Sequence, residues 1–371
     1  MDNRSGGSQL QTMTSIWISR FVPALLTLLV LLGSSGGGKA ADRYGALLDR
    51  AAEIDALETV LISVDGRVVA EHGYHGASVG QPTNIKSASK TIVSALVGIA
   101  IAKGLLEGPD QRIGALVARD MPRDADPRLR QITIGHLLSM QAGLARTSGP
   151  NYGKWVASRN WVRSALAQPF EDEPGGRMLY STGSTHILSA ILTRVSGRST
   201  LQLAREWLKP LKGFSITSWD RDPQGVYFGG NQMAMSPRSL LAFGELYRRG
   251  GVTPDGTRLI TPEWIEASWR PRTSSRFSGD GYGYGWFARS INGHDVRYAW
   301  GFGGQMLYVV PDLKLTVVMT SDDTRPSART GHRDRLHGLL GEIIGITGSD
   351  LAIGQPASGP AGAEAGEGKP D

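Results

Sequence analysis

The run Asn84-Ile85-Lys86-Ser87-Ala88-Ser89-Lys90-Thr91-Ile92-Val93-Ser94-Ala95-Leu96-Val97-Gly98-Ile99-Ala100-Ile101-Ala102 governs how the other segments are read. It leaves the polar loop Gln81-Pro82-Thr83-Asn84 and ends before Gly104, a residue suited to a helix C-terminus. From Ala88 to Ala102 the sole charged residue is Lys90, and apolar residues go all the way round. A helix of that pattern is central and buried, not laid on a surface. A lysine inside it is costly, because loss of water disfavours the ammonium form. Ser87 precedes Lys90 by three residues, so the two side chains share a face. Ser87 also falls in the first turn, where free N–H groups and the helix dipole favour developing negative charge. A serine becomes a nucleophile when a neighbour takes its proton, and a buried lysine of lowered pKa can be that neighbour. The bare Ser-x-x-Lys spacing arises by chance about once in a chain of this size. Its place at the entry of an apolar helix is what makes Ser87 and Lys90 a candidate nucleophile–base pair.

Outward from this helix, Tyr44 to Ile54 reads as a helix, and Thr59–Val64, Asp65-Gly66 and Arg67–Ala70 read as a hairpin. From about 105 to 280 helical patches alternate with loops. Ile132–Met140 is stopped by Gly143, Trp161–Ala167 follows, and Thr185–Val195 ends at Ser196-Gly197. Ser236-Pro237 opens a helix to about Arg249, and Thr261-Pro262-Glu263 opens another. Strand character returns at Tyr282–Phe287, Val296–Trp300, Gln305–Val310 and Leu315–Thr320, and a helix spans Thr330 to Ile344. Strands at both ends with helices between them predict an α+β fold. One antiparallel sheet is flanked by helices and carries a helical insertion over about 105–280, with a cleft between the two parts.

The chain has 371 residues, 40% hydrophobic and 20% charged, a globular balance with ample core. Its net charge of +6 is scattered, with basic residues often beside acids, so nucleic acid is not an expected partner. There is no cysteine, which excludes disulfides, thiolate catalysis and cysteine-ligated zinc. No His-Glu-x-x-His pattern occurs, and no metal or other cofactor is expected. Arg20 precedes the apolar run Phe21–Leu32, and Gly38-Lys39-Ala40 resembles a cleavage site before Ala41. Residues 1–40 are therefore expected to be an export signal, leading to a periplasmic or secreted product, with an uncleaved anchor as the alternative. No stable membrane insertion is expected after cleavage, and the oligomeric state is open. The tail 355–371, rich in Pro, Gly, Ala and Glu, is expected to be disordered. Gly33-Ser34-Ser35-Gly36-Gly37 matches the Gly-x-Ser-x-Gly elbow only in form, since no strand precedes it.

Two further stretches bear on chemistry. Tyr180-Ser181-Thr182 follows the loop Pro174-Gly175-Gly176 and precedes a helix. A tyrosine there is either a core residue with a bonded hydroxyl or a proton relay, its pKa lowered by the lysine ammonium. Trp300-Gly301-Phe302-Gly303-Gly304-Gln305 joins two strands, and its glycines allow backbone to approach a ligand closely. A backbone N–H from this edge together with that of Ser87 would form an oxyanion hole.

With these stretches in order, the chain resembles the serine β-lactamase and penicillin-binding protein superfamily over roughly residues 45–345. Within it the chain is most similar to class C β-lactamase-related hydrolases, including esterases and aminohexanoate-dimer hydrolases. Ser87-Ala88-Ser89-Lys90 is similar to the first motif, Tyr180-Ser181-Thr182 to Tyr-x-Asn, and Trp300–Gln305 to the Lys-Thr-Gly region. Leu137–Leu144 is similar to the loop following the first motif. The resemblance implies an acyl-enzyme on Ser87, proton handling by Lys90 and Tyr180, and oxyanion donors at the Ser87 and Phe302 N–H groups. It implies substrate contacts at Tyr152, Thr182, Asn231, Trp300 and Gly301. Two departures stand out. Thr182 replaces the asparagine amide, and no lysine or histidine precedes the glycine of the third motif, where a cation binds the substrate carboxylate of lactamases. Both favour a small neutral or apolar ester or amide as substrate. A weak β-lactamase, a D,D-peptidase and a catalytically silent sensor are the alternative readings.

Overall fold

The computed structural model describes residues 35–354. Among the described residues eleven strands form two sheets: β1 (Leu57–Val64), β2 (Arg67–Gly73), β3 (Thr83–Asn84), β4 (Ser218–Trp219), β5 (Met233–Met235), β6 (Thr273–Ser274), β7 (Gly281–Tyr282), β8 (Phe287–Ile291), β9 (His294–Gly301), β10 (Gln305–Val310) and β11 (Leu315–Ser321). The large sheet runs β2-β1-β11-β10-β9-β8-β7-β6, antiparallel throughout, and the small one runs β3-β5-β4. The architecture is the β-lactamase/transpeptidase-like α+β fold.

The middle strands are apolar on both faces, and the periodicity of two sorts their side chains between two cores. In β10, Leu307 and Val309 join the core around the central helix. Met306, Tyr308 and Val310 join a second core under the terminal helices, with Leu47 and Leu48 of Ser35–Ala51 and Leu336, Leu340 and Ile343 of His332–Gly354. Each such buried aliphatic side chain contributes roughly 1.5–3 kcal/mol.

The central helix Lys90–Ala102 is buried from Lys90 through Ala100, as its all-round apolar pattern requires. Gly98 makes room for Trp264, whose ring lies 2.4 Å from where a methyl group would stand. Between this helix and β6 come the longer helices Thr182–Ser196, Thr200–Trp207, Pro237–Arg248 and Pro262–Trp269. Their starts follow the capping logic of the sequence. Ser199, Ser236 and Thr261 accept hydrogen bonds from N–H groups of their own first turns, and proline opens the last two helices.

The β1–β2 hairpin turns on Asp65 and Gly66 at φ 49° and 81°, the conformation that Asp-Gly favours. The single strand expected over Tyr282–Phe287 is instead split into β7 and β8. A methyl group on Gly283 would stand 2.2 Å from the Ser268 carbonyl oxygen, and Gly285 adopts φ 85° while passing close to the Lys90 backbone. The two glycines let the chain leave the extended path and pack on the central helix. A second hairpin signal, Asn292-Gly293 between β8 and β9, takes φ 52° and 82°.

Of the expected export signal, only residues 35–40 fall within the described part, where they open the helix Ser35–Ala51. The expected disordered tail at 355–371 lies outside the described residues. Among the described residues no helix is long and apolar enough to cross a membrane.

Candidate active site

Ser87 is delivered by a tight entry to the central helix. Strand β3 pairs with β5, and Asn84 then accepts a hydrogen bond from the Lys86 N–H at 3.0 Å. Lys86 takes a left-handed φ of 49°, and Lys86–Ser89 forms a 3-10 turn before the α-helix begins at Lys90. The sequence places Ser87 in the first α-helical turn; it stands instead on this 3-10 turn. The Ser89 hydroxyl donates to the Lys86 carbonyl at 2.7 Å, which helps to hold the tighter winding.

Lys90 is 1% exposed. Its Nζ lies 2.9 Å from Ser87 Oγ, 3.3 Å from Thr182 Oγ1 and 2.6 Å from the Gly230 carbonyl oxygen. Desolvation pulls its pKa down to about 7. A neutral amine has two N–H donors and one lone pair. The Gly230 oxygen can only accept, so it takes one N–H, and Thr182 Oγ1 accepts the other. The lone pair is then left facing the Ser87 hydroxyl, the arrangement a general base needs.

Tyr180 lies against this pair, its ring centroid 5.1 Å from Lys90 Nζ and packed on Tyr282 and Phe287. The expectation that a nearby ammonium lowers its pKa is overturned. Burial pushes the phenol up to about 12, with the Ser87 hydroxyl pulling the other way. The cause is the same desolvation that makes Lys90 easy to deprotonate, since the amine offers no permanent positive charge near neutral pH. Tyr180 is thus a phenol that holds its proton.

Thr182 is 3% exposed, and its hydroxyl meets Lys90 and the Ser148 hydroxyl, the latter at 3.0 Å. Ser148 also accepts from the Thr182 N–H at 2.8 Å, and Thr147 bonds Ser181 and the Gly183 N–H. Thr182 therefore acts on the lysine rather than lining open space. Tyr152 and Asn231 are joined, Asn231 Nδ2 donating to the Tyr152 hydroxyl at 3.0 Å. Tyr152 lines a groove of about 570 Å³ with Val156, Trp161, Asp220, Phe228 and Gln232. Gln232 in turn accepts from Asn84 at 2.8 Å, which ties the groove's rim to the nucleophile's turn.

On the other flank, β9 ends against the 3-10 turn. A methyl group on Gly301 would stand 2.3 Å from the Ile85 carbonyl oxygen, so only glycine allows this approach. Among the described residues, the backbone N–H groups of Ser87 and Phe302 have no hydrogen-bond acceptor. Phe302 is 49% exposed. Trp300 donates through its indole N–H to Ser327 at 3.1 Å and is covered by the Arg333 guanidinium 5.2 Å from its ring. Lys86 pairs with Asp323 at 2.9 Å.

Sequence reasoning missed Gly230, Ser148 and Thr147. The dipeptide Gly229-Gly230 was the available signal, since Gly230 sits at φ 82° and a methyl group there would fall 2.6 Å from Lys90 Cγ. Among the described residues no cluster of His, Asp and Glu is arranged to hold a metal ion.

The sequence model of the beta-lactamase family matches residues 50–342, most of the chain and every residue of the site described above. The chain belongs to the beta-lactamase family. Its members are hydrolases, and this beta-lactamase-family protein is an enzyme of the serine hydrolase superfamily. Solved structures share its fold at low identity. EstCE1, a hydrolase with promiscuous acyltransferase activity, superposes with a TM-score of 0.69 at 18% identity, covering 83% of this chain and 100% of that one. A protein assigned as a 6-aminohexanoate-dimer hydrolase from Bacillus anthracis gives 0.67 at 16% identity, covering 83% of each. A D-stereospecific amidohydrolase from Streptomyces gives 0.60 at 17% identity, covering 78% of this chain and 96% of that one.

Proposed function

We propose that this beta-lactamase-family protein hydrolyses small neutral esters or amides through an acyl-enzyme on Ser87. The observation that supports this most is the buried Lys90 amine, with a pKa near 7, held 2.9 Å from Ser87 Oγ. Ser87 Oγ attacks the substrate carbonyl carbon, and its proton passes to Lys90 Nζ. The negative charge that develops on the carbonyl oxygen is met by the N–H groups of Ser87 and Phe302. Tyr180, protonated because of its high pKa, gives its proton to the leaving group as the carbon–heteroatom bond breaks and recovers one from the Lys90 ammonium. Water then attacks the acyl-enzyme, losing its proton through the same groups, and Ser87 leaves as the free alcohol.

The preference for a neutral substrate rests on the strand edge. The position next to Gly301 carries Trp300, already engaged by Ser327 and Arg333, and the Lys86 cation is neutralised by Asp323. The structures of the same fold named as an aminohexanoate-dimer hydrolase and an amidohydrolase support the amide side of that class, and EstCE1, named as a hydrolase with acyltransferase activity, supports acyl transfer. Weak β-lactam or D,D-peptide hydrolysis is the second reading, kept because the nucleophile, lysine and tyrosine of that chemistry are all present.

The test is intact-mass spectrometry after exposure to a fluorophosphonate, on the wild type and Ser87→Ala. One adduct on the wild type and none on Ser87→Ala is the expected result. Equal labelling of both, or of neither, overturns the assignment. Screening with p-nitrophenyl esters, short amides and a chromogenic cephalosporin then separates the two substrate classes.

A further inference from the structure

The proposed reaction leaves unused a buried titratable pair at the far side of Lys90. His186 and Asp222 both have side chains with no exposed surface, and His186 Nε2 lies 3.0 Å from Asp222 Oδ2. The imidazole is boxed by Trp155, Trp161 and Phe228, with ring centroids 5.5–5.8 Å away. Its other nitrogen, Nδ1, accepts a hydrogen bond from the Gly229 N–H at 3.3 Å. An accepting Nδ1 puts the ring proton on Nε2, donated to Asp222. Asp222 is fixed in turn by the N–H groups of Gln224 and Val226, each at 2.8 Å. The next carbonyl after Gly229 is that of Gly230, the acceptor 2.6 Å from Lys90 Nζ.

The helix Thr182–Ser196 presents Thr182 and His186 one turn apart on one face. Thr182 touches Lys90 directly, and His186 reaches it through one peptide. Thr185 completes the clamp by donating to the Gly229 carbonyl at 3.0 Å. A purely structural filler for an aromatic box would not need a carboxylate, whose burial costs several kcal/mol unless fully bonded. We infer that His186, oriented by Asp222, is a positioning residue for the Ser87–Lys90 pair. It holds the Gly229-Gly230 segment so that the Gly230 carbonyl takes one Lys90 N–H and leaves the lone pair on Ser87. The inference rests on Lys90 being the base.

The titratable group facing Lys90 is Tyr180, and the Ser87 and Thr182 hydroxyls and the Gly230 carbonyl complete its surroundings. A carbonyl bonded to an ammonium favours the charged form, so loosening Gly230 lowers the lysine pKa further. The experiment reads the rate of fluorophosphonate labelling by intact mass from about pH 5 to about pH 9, with circular dichroism as the check on folding. His186→Phe keeps the ring packing and removes both hydrogen bonds. Its acid limb is expected to move down by about one pH unit and its plateau to fall about ten-fold. His186→Asn retains an acceptor for the Gly229 N–H and restores the limb, whereas His186→Gln retains only a donor to Asp222 and does not.

Restoration by asparagine and not by glutamine is the supporting pattern. Any other pattern, or an unmoved limb in folded His186→Phe, overturns the inference. If His186→Phe fails to fold, the asparagine–glutamine comparison decides alone. A wild type that takes no label overturns the proposed function itself. A labelled wild type with unmoved limbs in the variants overturns only the positioning role.

Discussion

On the lysine flank of Ser87, directed hydrogen bonds do the holding: Lys90 meets the Thr182 hydroxyl and the Gly230 carbonyl, Thr182 is bonded by Ser148, and Ser181 by Thr147. On the strand flank side chains anchor Trp300 and Lys86, but the proposed donor itself is placed by backbone packing. Gly301 is pressed against the Ile85 carbonyl, and Phe302 offers its N–H while its ring stands half in solvent. The difference follows from what each flank supplies. A base must have its lone pair aimed, which takes several directed bonds around one nitrogen. An oxyanion donor is a backbone N–H, whose direction is set by the path of the chain, so closeness of approach is what matters. Side-chain deletions should therefore be felt on the first flank, and added carbons on the second.

The strongest challenge to that contrast is Lys90→Met. Loss of the base is expected to cut the acylation rate about a thousand-fold or more. The same change should raise the unfolding free energy at pH 7 by about 1–3 kcal/mol, since a desolvated amine is replaced by an apolar chain and the loss of the Gly230 contact offsets only part of the gain. Denaturant titration checks this, and a lowered midpoint would refute the idea that the lysine is held at a cost. The pH dependence has a definite sign. The folded pKa of Lys90 is depressed, so between about pH 7 and the usual lysine value near 10 the unfolded chain binds the extra proton. Wild-type stability gains a contribution as pH rises through that window, and Lys90→Met should lack it.

Next in size is Gly301→Ala, where the new methyl meets the Ile85 carbonyl oxygen. The strand edge must retreat from the 3-10 turn, and acylation should fall about a hundred-fold with intact folding, as steady-state kinetics and circular dichroism would register. Thr182→Val removes one acceptor from Lys90. Turnover should fall about ten-fold, and the acid limb of kcat/KM, near pH 7 in the wild type, should move lower because the ammonium has lost a partner. Phe302→Ala should matter least to chemistry. The N–H remains, so kcat should change by less than about three-fold, while KM for apolar substrates rises. A large loss of kcat in Phe302→Ala with no loss in Gly301→Ala would reverse the reading of the strand flank.

The readable parts of this molecule were those with local causes. The burial of Lys90 follows from its apolar neighbours along one helix, and the spacing to Ser87 follows from helical periodicity. The Asp65-Gly66 hairpin and the serine and threonine caps are likewise local. Gly230, Ser148 and His186 were silent because their importance arises from chain segments distant in sequence meeting at one nitrogen. The direction of the Tyr180 shift was missed because the lysine was treated as an ammonium. Burial that strips its proton also removes the charge that would have acidified the phenol. Asn292-Gly293 was a local signal overlooked beside the aromatic run before it, which the two glycines at 283 and 285 had already broken.

In the large sheet β1 lies beside β11, with Leu57 opposite Ser321 and Val64 opposite Leu315. The hairpin that precedes the nucleophile is thus sealed by the last of the described strands, and the donor edge at Phe302 arrives late in synthesis. Pairings so distant along the chain make for slow folding. They also mean that a ribosome-bound chain can carry Ser87 and Lys90 long before it owns an oxyanion hole. Under the proposed mechanism, full reactivity toward an acylating probe should appear only once the β9–β10 edge has docked on the turn that carries Ser87, which would make labelling a clock for a late step of folding.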